Sequence, residues 1–181
     1  MLIRNPFVWL RRIRYRRGYG IHSPYAYNLV TGVLYNPGTY YAYSWLDRLL
    51  PPRVRLFHLR SMAVHRLLFR LANHWQPHLI AALDLTPTEW NYLHEGCRKA
   101  VIDSAMPKGR ADMLLLKHDT PEWETHVDEN SLLIVSDLRH NHPLWQSVCD
   151  NPLTRITFDL YDVGIAIFNP KLNKKNYTIN W

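Results

Sequence analysis

The sequence contains no run of about 18 apolar residues, which is the length that a membrane-spanning helix needs. It has only two cysteines, Cys97 and Cys149, and these lack the spacing of metal ligands. We therefore expect two free thiols in a cytoplasmic protein. The apolar stretch at 6–10 is short and is followed by arginines, so we expect no signal peptide.

The chain also has no acidic residue before Asp47. Its net charge is +7, and six arginines precede Gly18: Arg4, Arg11, Arg12, Arg14, Arg16 and Arg17. Without these six, the chain has 16 basic and 15 acidic residues, so the basic character belongs to one N-terminal segment.

This basic segment has three alternative roles. Residues 6–17 are predicted to form an amphipathic helix, with Phe7, Leu10 and Ile13 on related faces. Its arginines suit nucleic acid, with Trp9 and Tyr15 as stacking partners, or an anionic membrane surface. Alternatively, the helix packs on its own domain, on a protein partner or on a second copy in a homo-oligomer. The candidate contact residues are Arg11, Arg12, Arg14, Arg16 and Arg17.

Short apolar runs alternate with helical patterns from residue 79 onward. The runs predict strands buried on both faces at 79–85, 100–102, 113–116 and 132–135. Helical candidates lie between them at 87–97, 121–128 and 143–149. Alternation of this kind predicts βαβ units and a parallel sheet.

The end of the chain departs from this alternation. Only Tyr161 and Asp162 separate the apolar runs 156–160 and 163–168, a gap that fits a hairpin and is too short for a parallel crossover. A last strand is expected at 177–181.

Three helical patterns precede the first strand. After the segment at 6–17, Ser23 is predicted to cap a helix whose Pro24 stands at the first position. Its buried stripe would be Tyr27, Val30, Val33 and Leu34. A third helix is predicted at 61–75, with Arg66, Arg70 and Asn73 facing away from the core. Residues 39–60 hold an aromatic cluster, expected in a core or interface, and a helix-breaking Pro51-Pro52.

These patterns predict an α/β fold. We expect a shortened, Rossmann-like, mostly parallel sheet that ends in an antiparallel β-hairpin and follows an N-terminal helical segment. Residues 1–60 would form a basic and aromatic helical extension, and residues 61–181 one compact α/β domain.

Three segments carry a family likeness. Residues 18–25 read Gly-Tyr-Gly-Ile-His-Ser-Pro-Tyr, residues 67–73 read Leu-Leu-Phe-Arg-Leu-Ala-Asn, and residues 159–168 span the predicted hairpin. In this order they resemble segments of class I S-adenosylmethionine-dependent methyltransferases, in particular a bacterial O-methyltransferase-like group. The resemblance implies a cofactor site at the carboxyl ends of the first strands.

The cofactor segments depart from that family. Where the family has a glycine-rich turn after the first strand, this chain continues Asp84-Leu85-Thr86-Pro87-Thr88-Glu89, and it has no glycine between Gly38 and Gly96. Thr86 and Glu89 have the spacing of a capping box, which would occupy the N–H groups of the next helix. Lys117 stands where the family places an aspartate, and its charge repels a sulfonium.

The candidate site residues follow from the resemblance. Asp84, Thr86 and Asp103 would contact S-adenosylmethionine if the ancestral site survives, with Asp103 on the ribose or, alternatively, capping the next turn. Asp137 and His140 would form a catalytic acid–base pair. One Asp with His140 and His142 is a weak metal signature, so we predict no metal.

Three functions therefore stand side by side. The first is a degenerate methyltransferase-like protein whose S-adenosylmethionine site is lost or impaired and which acts by binding or assembly. The second is an active S-adenosylmethionine-dependent O-methyltransferase with an atypical cofactor loop. The third is a binder of nucleic acid or of a membrane surface through the arginine segment.

Overall fold

The computed structural model describes residues 6–50 and 59–181, and the side chains at 6, 8, 9, 59 and 60 are not described. The chain divides into two compact units. The first comprises Met1–Gln76 and Leu85–Lys99, and the second comprises Pro77–Asp84 and Ala100–Trp181. None of the described helices is long and apolar enough to cross a membrane.

The first unit is helical. Its helices are α1 (Pro6–Arg12), α2 (Pro24–Leu29), α3 (Tyr43–Leu49), α4 (Leu59–Trp75) and α5 (Pro87–Gly96). A 3₁₀ turn, Ile13–Tyr15, extends α1, and a π-helical turn, Val30–Leu34, extends α2. The predicted start of α2 is confirmed, because Ser23 Oγ accepts the N–H of Ala26 at 3.3 Å and Pro24 follows the cap.

Helix α4 is the predicted third helix, begun two residues earlier, and it packs against α5. Gly96 at the end of α5 lies so close to α4 that a Cβ there would stand 2.5 Å from the backbone oxygen of Phe69. Only glycine permits this approach of the two helices.

Two predicted orientations in this unit are wrong. Arg70 was expected to face away, but it is only 8% exposed and donates to the backbone oxygens of Val33 and Leu34 at 2.8 and 3.1 Å. These carbonyls end the π-helical turn, where few backbone donors remain. Val33 O also accepts the N–H of Asn36 at 3.4 Å, and the guanidinium adds a shorter bond. Tyr27 was expected in the buried stripe, but it is 46% exposed, whereas Val30 and Val33 are buried.

Helix α3 lies within residues 39–60, where no helix was predicted. It brings Asp47 into contact with the Arg66 guanidinium and the Tyr92 hydroxyl. Burial and the adjacent carboxylate raise the pKa of Tyr92, so the phenol stays protonated and donates to Asp47. Of the aromatic cluster, Tyr43 is buried as expected, whereas Tyr41 is 73% exposed. The Pro51-Pro52 break lies outside the described residues.

The second unit contains one seven-stranded sheet. Its strands are β1 (Leu79–Ala82), β2 (Val101–Asp103), β3 (Met113–Leu116), β4 (Leu132–Ser136), β5 (Ile156–Asp159), β6 (Val163–Ile167) and β7 (Lys175–Thr178). The spatial order is β2-β1-β3-β4-β6-β5-β7. Among these strands of the described residues only β6 runs opposite to the others.

This sheet confirms the predicted mostly parallel, Rossmann-like α/β fold. The predicted hairpin is also confirmed, since β5 and β6 pair antiparallel across Leu160–Asp162. The last strand begins two residues earlier than expected and pairs parallel with β5.

The connections of the sheet are short. Residues 104–112 join β2 to β3 in bends and coil, and β3 and β4 are joined through a 3₁₀ turn, Trp123–His126. The helix predicted at 121–128 is therefore wrong, because Glu122 adopts a left-handed conformation (φ 58°) that interrupts any helix starting at Pro121. Helix α6 (His142–Asp150) joins β4 to β5 as predicted.

Both faces are buried along β1, β3 and β4, as the continuous apolar runs predicted, and along β6. The same prediction is wrong for β2, where Val101 is 65% exposed, because β2 is an edge strand of the sheet. On one face, Leu114, Leu133 and Ala166 join a cluster with Trp123 and with Trp145 of α6. On the other face the alternating residues Ile80, Met113, Leu115, Ile134 and Ile165 are fully buried. Cys97 and Cys149 are free and buried, in agreement with the sequence prediction.

Gly164→Ala is expected to destabilise the protein. A Cβ at this position in β6 would lie 2.5 Å from the Trp145 ring, so strand and helix must separate. We expect a loss of about 1–3 kcal/mol in the free energy of unfolding, measured by urea denaturation. Gly109→Ala is the control, because no atom lies within 4 Å of its added Cβ. An equal, small effect of both substitutions would contradict the close contact of β6 with α6.

Candidate functional site at the carboxyl edge of the sheet

The strand order defines where a ligand would be expected. From β1 the chain goes to β2 on one side, and β3 then lies on the other side of β1. The crevice between the carboxyl ends of β1 and β3 is therefore the topological switch point, which is where open α/β sheets bind ligands. Asp84 follows β1 at this edge, and Lys117 follows β3.

A lysine spans this crevice. Lys117 Nζ donates to the backbone oxygen of Asp84 at 2.8 Å, which joins the segments that follow β1 and β3. Asp84 adopts a left-handed conformation (φ 56°), and its carboxylate lies 3.6 Å from His118 Nε2. The predicted cofactor residue Asp84 is therefore next to two basic side chains.

An asparagine joins the next pair of strands. Asn141 Nδ2 donates to the backbone oxygens of Lys117 at 2.6 Å and of Ser136 at 2.9 Å. Asn141 was not predicted to belong to this site. It directly precedes the helix predicted at 143–149, which the structure confirms as α6. Its side chain makes no cap bond to the helix and instead connects the ends of β3 and β4.

Thr86 belongs to the first unit and begins α5. The predicted capping box is present: Thr86 Oγ1 accepts the N–H of Glu89 at 3.3 Å, and Glu89 Oε2 accepts the N–H of Thr86 at 2.8 Å. Pro87 has no N–H. The four residues at this helix start are Thr86, Pro87, Thr88 and Glu89. Only the N–H of Thr88 is left for another acceptor.

Asp103 ends β2 and its side chain is directed into a local turn. Asp103 Oδ1 accepts the N–H of Ala105 at 3.0 Å, which is the turn-capping alternative of the sequence analysis. The residue is exposed, and its carboxylate bonds within this turn. The ribose-binding role of Asp103 stays a prediction.

Asp137 and His140 are brought together, as their spacing predicted. Asp137 Oδ2 lies 2.7 Å from His140 Nδ1, and the two side chains are 52% and 77% exposed. Asp137 is left-handed (φ 51°), and its backbone oxygen accepts the N–H groups of His140 and Asn141 at 2.9 and 3.1 Å. The carboxylate can orient the imidazole, but a catalytic role stays a prediction. Within residues 6–50 and 59–181, no three His, Cys, Asp or Glu side chains cluster as metal ligands do.

Comparisons with known proteins identify no family for this chain. No protein-family model matches the sequence, and no curated protein matches it. Among solved structures it is similar to a methyltransferase from Geobacter sulfurreducens, with 14% identity and a TM-score of 0.49 over 70% of this chain and 95% of that chain.

Two further solved structures are similar. A methyltransferase from Podospora anserina with SAH bound has 10% identity and a TM-score of 0.46, over 81% of this chain and 96% of that one. A ribosomal protein L11 methylase from Lactobacillus delbrueckii subsp. bulgaricus has 12% identity and a TM-score of 0.35, over 57% and 77%. Similarity at this level carries no conclusion about activity or cofactor, and the assigned fold rests on the strand order itself.

Thr86→Ala is expected to cost stability. Removing the hydroxyl leaves the Glu89 N–H without its acceptor, which should lower the free energy of unfolding by about 1 kcal/mol. Urea denaturation measures the change. Thr39→Ala is the control, because Thr39 is exposed, and we expect it to remain within about 0.5 kcal/mol of the wild type. A neutral Thr86→Ala would mean that the capping box does not hold these N–H groups.

Proposed function

We propose that this chain is a methyltransferase-like domain that does not bind S-adenosylmethionine and that acts by binding. The observation that carries the proposal is the hydrogen bond of 2.8 Å from Lys117 Nζ to the oxygen of Asp84 at the switch point. The proposed compartment is the cytoplasm, where two buried free thiols stay reduced.

Charge disfavours the cofactor at this position. S-adenosylmethionine carries a positive sulfonium, and its place in this fold would be the crevice that the Lys117 ammonium spans. Like charges at short range repel by several kcal/mol where the effective dielectric is about 20. The Asp84 carboxylate lies 3.6 Å from His118 Nε2, and the backbone oxygen of the same residue accepts the Lys117 ammonium.

The turn after β1 also has few free backbone N–H groups. A cofactor that lies against a strand–helix turn needs free N–H groups and glycine, which lets the backbone approach the ligand. Here the turn after β1 contains no glycine. The N–H groups of Thr86 and Glu89 are bonded within the capping box, and Pro87 has none. The residues present therefore do not fit this cofactor.

One observation favours the second function, an active enzyme. Asp137 and His140 are paired at 2.7 Å in an exposed position, which suits proton transfer to or from a substrate. Methyl transfer through this pair still requires the cofactor, so a binding measurement decides between the two functions.

Calorimetric titration with S-adenosylhomocysteine is expected to give no heat of binding. This product analogue makes the result independent of the methyl acceptor. The melting temperature should also be unchanged at millimolar ligand, because a ligand that binds only the folded state raises it. Micromolar binding that is lost in Asp84→Ala, and kept in the control Glu129→Ala at the opposite edge of the sheet, would overturn the proposal and establish a surviving site.

The surface proposed for binding is the N-terminal arginine segment, residues 6–17. Three apolar side chains of this segment are exposed: Phe7 at 78%, Leu10 at 58% and Ile13 at 47%. Exposure to this extent argues against packing on the chain's own domain. Its arginines, apart from the half-buried Arg12, are exposed as well: Arg11, Arg14, Arg16 and Arg17.

An anionic lipid surface suits this combination better than nucleic acid does. Apolar side chains insert at the boundary of headgroups and acyl chains, while arginines contact lipid phosphates and carboxylates. Leu10 and Ile13 have no corresponding partner on a nucleic acid. The Tyr15 ring, predicted to stack on bases, already has the Arg14 guanidinium 5.0 Å from its centroid. The side chain of Trp9, the other predicted stacking residue, lies outside the described residues.

The full chain is expected to cosediment with vesicles of phosphatidylserine and phosphatidylcholine but not with phosphatidylcholine alone. Added salt should weaken the binding. The triple variant Arg11→Gln, Arg14→Gln, Arg17→Gln should bind about 100-fold more weakly, because each arginine near the surface contributes about 1 kcal/mol.

Its control is the triple variant Lys99→Gln, Lys108→Gln, Lys171→Gln, which changes the net charge equally at exposed positions. An equal loss in both variants would assign the binding to net charge alone. Binding of a single-stranded RNA oligonucleotide without vesicle binding would replace the lipid assignment with nucleic acid.

A further inference from the structure

A cavity of about 440 Å³ lies at the other edge of the sheet. Its walls come from the segments that precede β3, β4 and β5 and from the segment that follows the antiparallel β6. It is therefore at the amino ends of the parallel strands, opposite the switch point. Its volume is within the range of about 300–1,000 Å³ that is usual for small-molecule sites.

The arginines and glutamates around this cavity form no ion pairs with one another. Two arginines, Arg110 and Arg155, and two glutamates, Glu124 and Glu129, line it. None of the four side chains makes an ion pair within the part of the chain that the structure describes. The third acid, Asp128, is held within its own loop, where Oδ1 accepts the N–H of Asn130 at 2.9 Å.

Arg155 supplies a second, independent indication of a ligand. Its Nε atom is buried and has no hydrogen-bond acceptor. Buried polar groups are nearly always paired, and leaving such a donor unpaired costs free energy. A carboxylate is the acceptor that matches a guanidinium best, because its two oxygens can take two parallel N–H groups.

Four of the lining residues are apolar: Val127, Leu153, Phe168 and Pro170. Val127 and Phe168 are buried, and Leu153 is 51% exposed. A ligand with an apolar body would contact this part of the wall and cover Leu153.

We propose that this cavity binds a free amino acid with an aromatic or branched apolar side chain. The carboxylate of the ligand meets Arg155 and Arg110, its ammonium meets Glu124 and Glu129, and its side chain lies against Val127, Leu153 and Phe168. A simple anion would leave two glutamates unpaired and repelling it. A simple cation would leave the two arginines unpaired and would be repelled by them. The inference is independent of the proposed function, because it concerns the opposite edge of the sheet.

The test uses three probes that differ by one charged group each. L-Phenylalanine carries both charges, 3-phenylpropanoate lacks the ammonium, and 2-phenylethylamine lacks the carboxylate. Each is titrated into the ¹⁵N-labelled full chain and followed by the amide NMR signals of residues 127–130 and 153–155. L-Phenylalanine is expected to bind with a dissociation constant on the order of a millimolar, as suits a ligand of its size. Both analogues should bind at least about tenfold more weakly.

Variants assign the contacts. Arg155→Gln and Glu124→Gln are each expected to weaken L-phenylalanine binding at least about tenfold. If Arg155→Gln fails to fold, the exposed Arg110→Gln takes its place. Lys108→Gln, an exposed neighbour that does not line the cavity, is the control and should bind as the wild type does.

The proposal is overturned if L-phenylalanine moves no signal at the cavity. It is also overturned if 3-phenylpropanoate or 2-phenylethylamine binds as tightly as L-phenylalanine. Either the glutamates or the arginines would then have no role in binding.

Discussion

The hydrogen bond from Lys117 to the backbone oxygen of Asp84 holds together the segments that follow β1 and β3 at the carboxyl edge of the sheet. In an open α/β sheet the strands diverge at the switch point and leave a crevice with unpaired backbone groups. Here the ammonium occupies that crevice, and Asn141 bonds the carbonyls of Lys117 and Ser136 beside it. The left-handed backbone of Asp84 (φ 56°) accompanies this arrangement. The backbone oxygens of Asp84, Lys117 and Ser136 thus find their donors within the chain.

The two edges of the sheet differ in how their polar groups are satisfied. At the carboxyl edge, the ends of β1, β3 and β4 are joined by side chains that donate to backbone oxygens. At the amino edge, a cavity is lined by charged side chains without ion pairs among the described residues, and a buried guanidinium N–H lacks an acceptor. Unsatisfied buried groups cost stability, so each one needs a physical explanation. The ligand proposed for the amino-edge cavity would supply one for Arg155.

Much of the fold was accessible from the sequence because periodicity and turn length act locally. The run at 113–116 predicted β3 to the residue, and the two-residue gap at Tyr161-Asp162 predicted the antiparallel pair β5–β6. The failures have non-local causes. Arg70 looked solvent-facing on its own helix, but the carbonyls of Val33 and Leu34 that it caps come from a segment 36–37 residues earlier. Helix α3 carries no cap bond, and its Asp47 is held by Arg66 and Tyr92, which no local pattern reveals.

The candidate sites divide along the same line. The Asp137–His140 pair and the Thr86–Glu89 box could be predicted, because a spacing of three residues places both groups on one turn. The unsuitable charge of Lys117 was visible in the sequence, but its acceptor was not, because that acceptor is a backbone atom 33 residues away. The amino-edge cavity left no sequence signature, since its walls come from four separate segments. The sheet fixes the positions of these segments. Their arginines and glutamates are therefore held apart and do not pair. Those unpaired charges mark this cavity, more strongly than any motif does, as a place for a ligand that carries both signs.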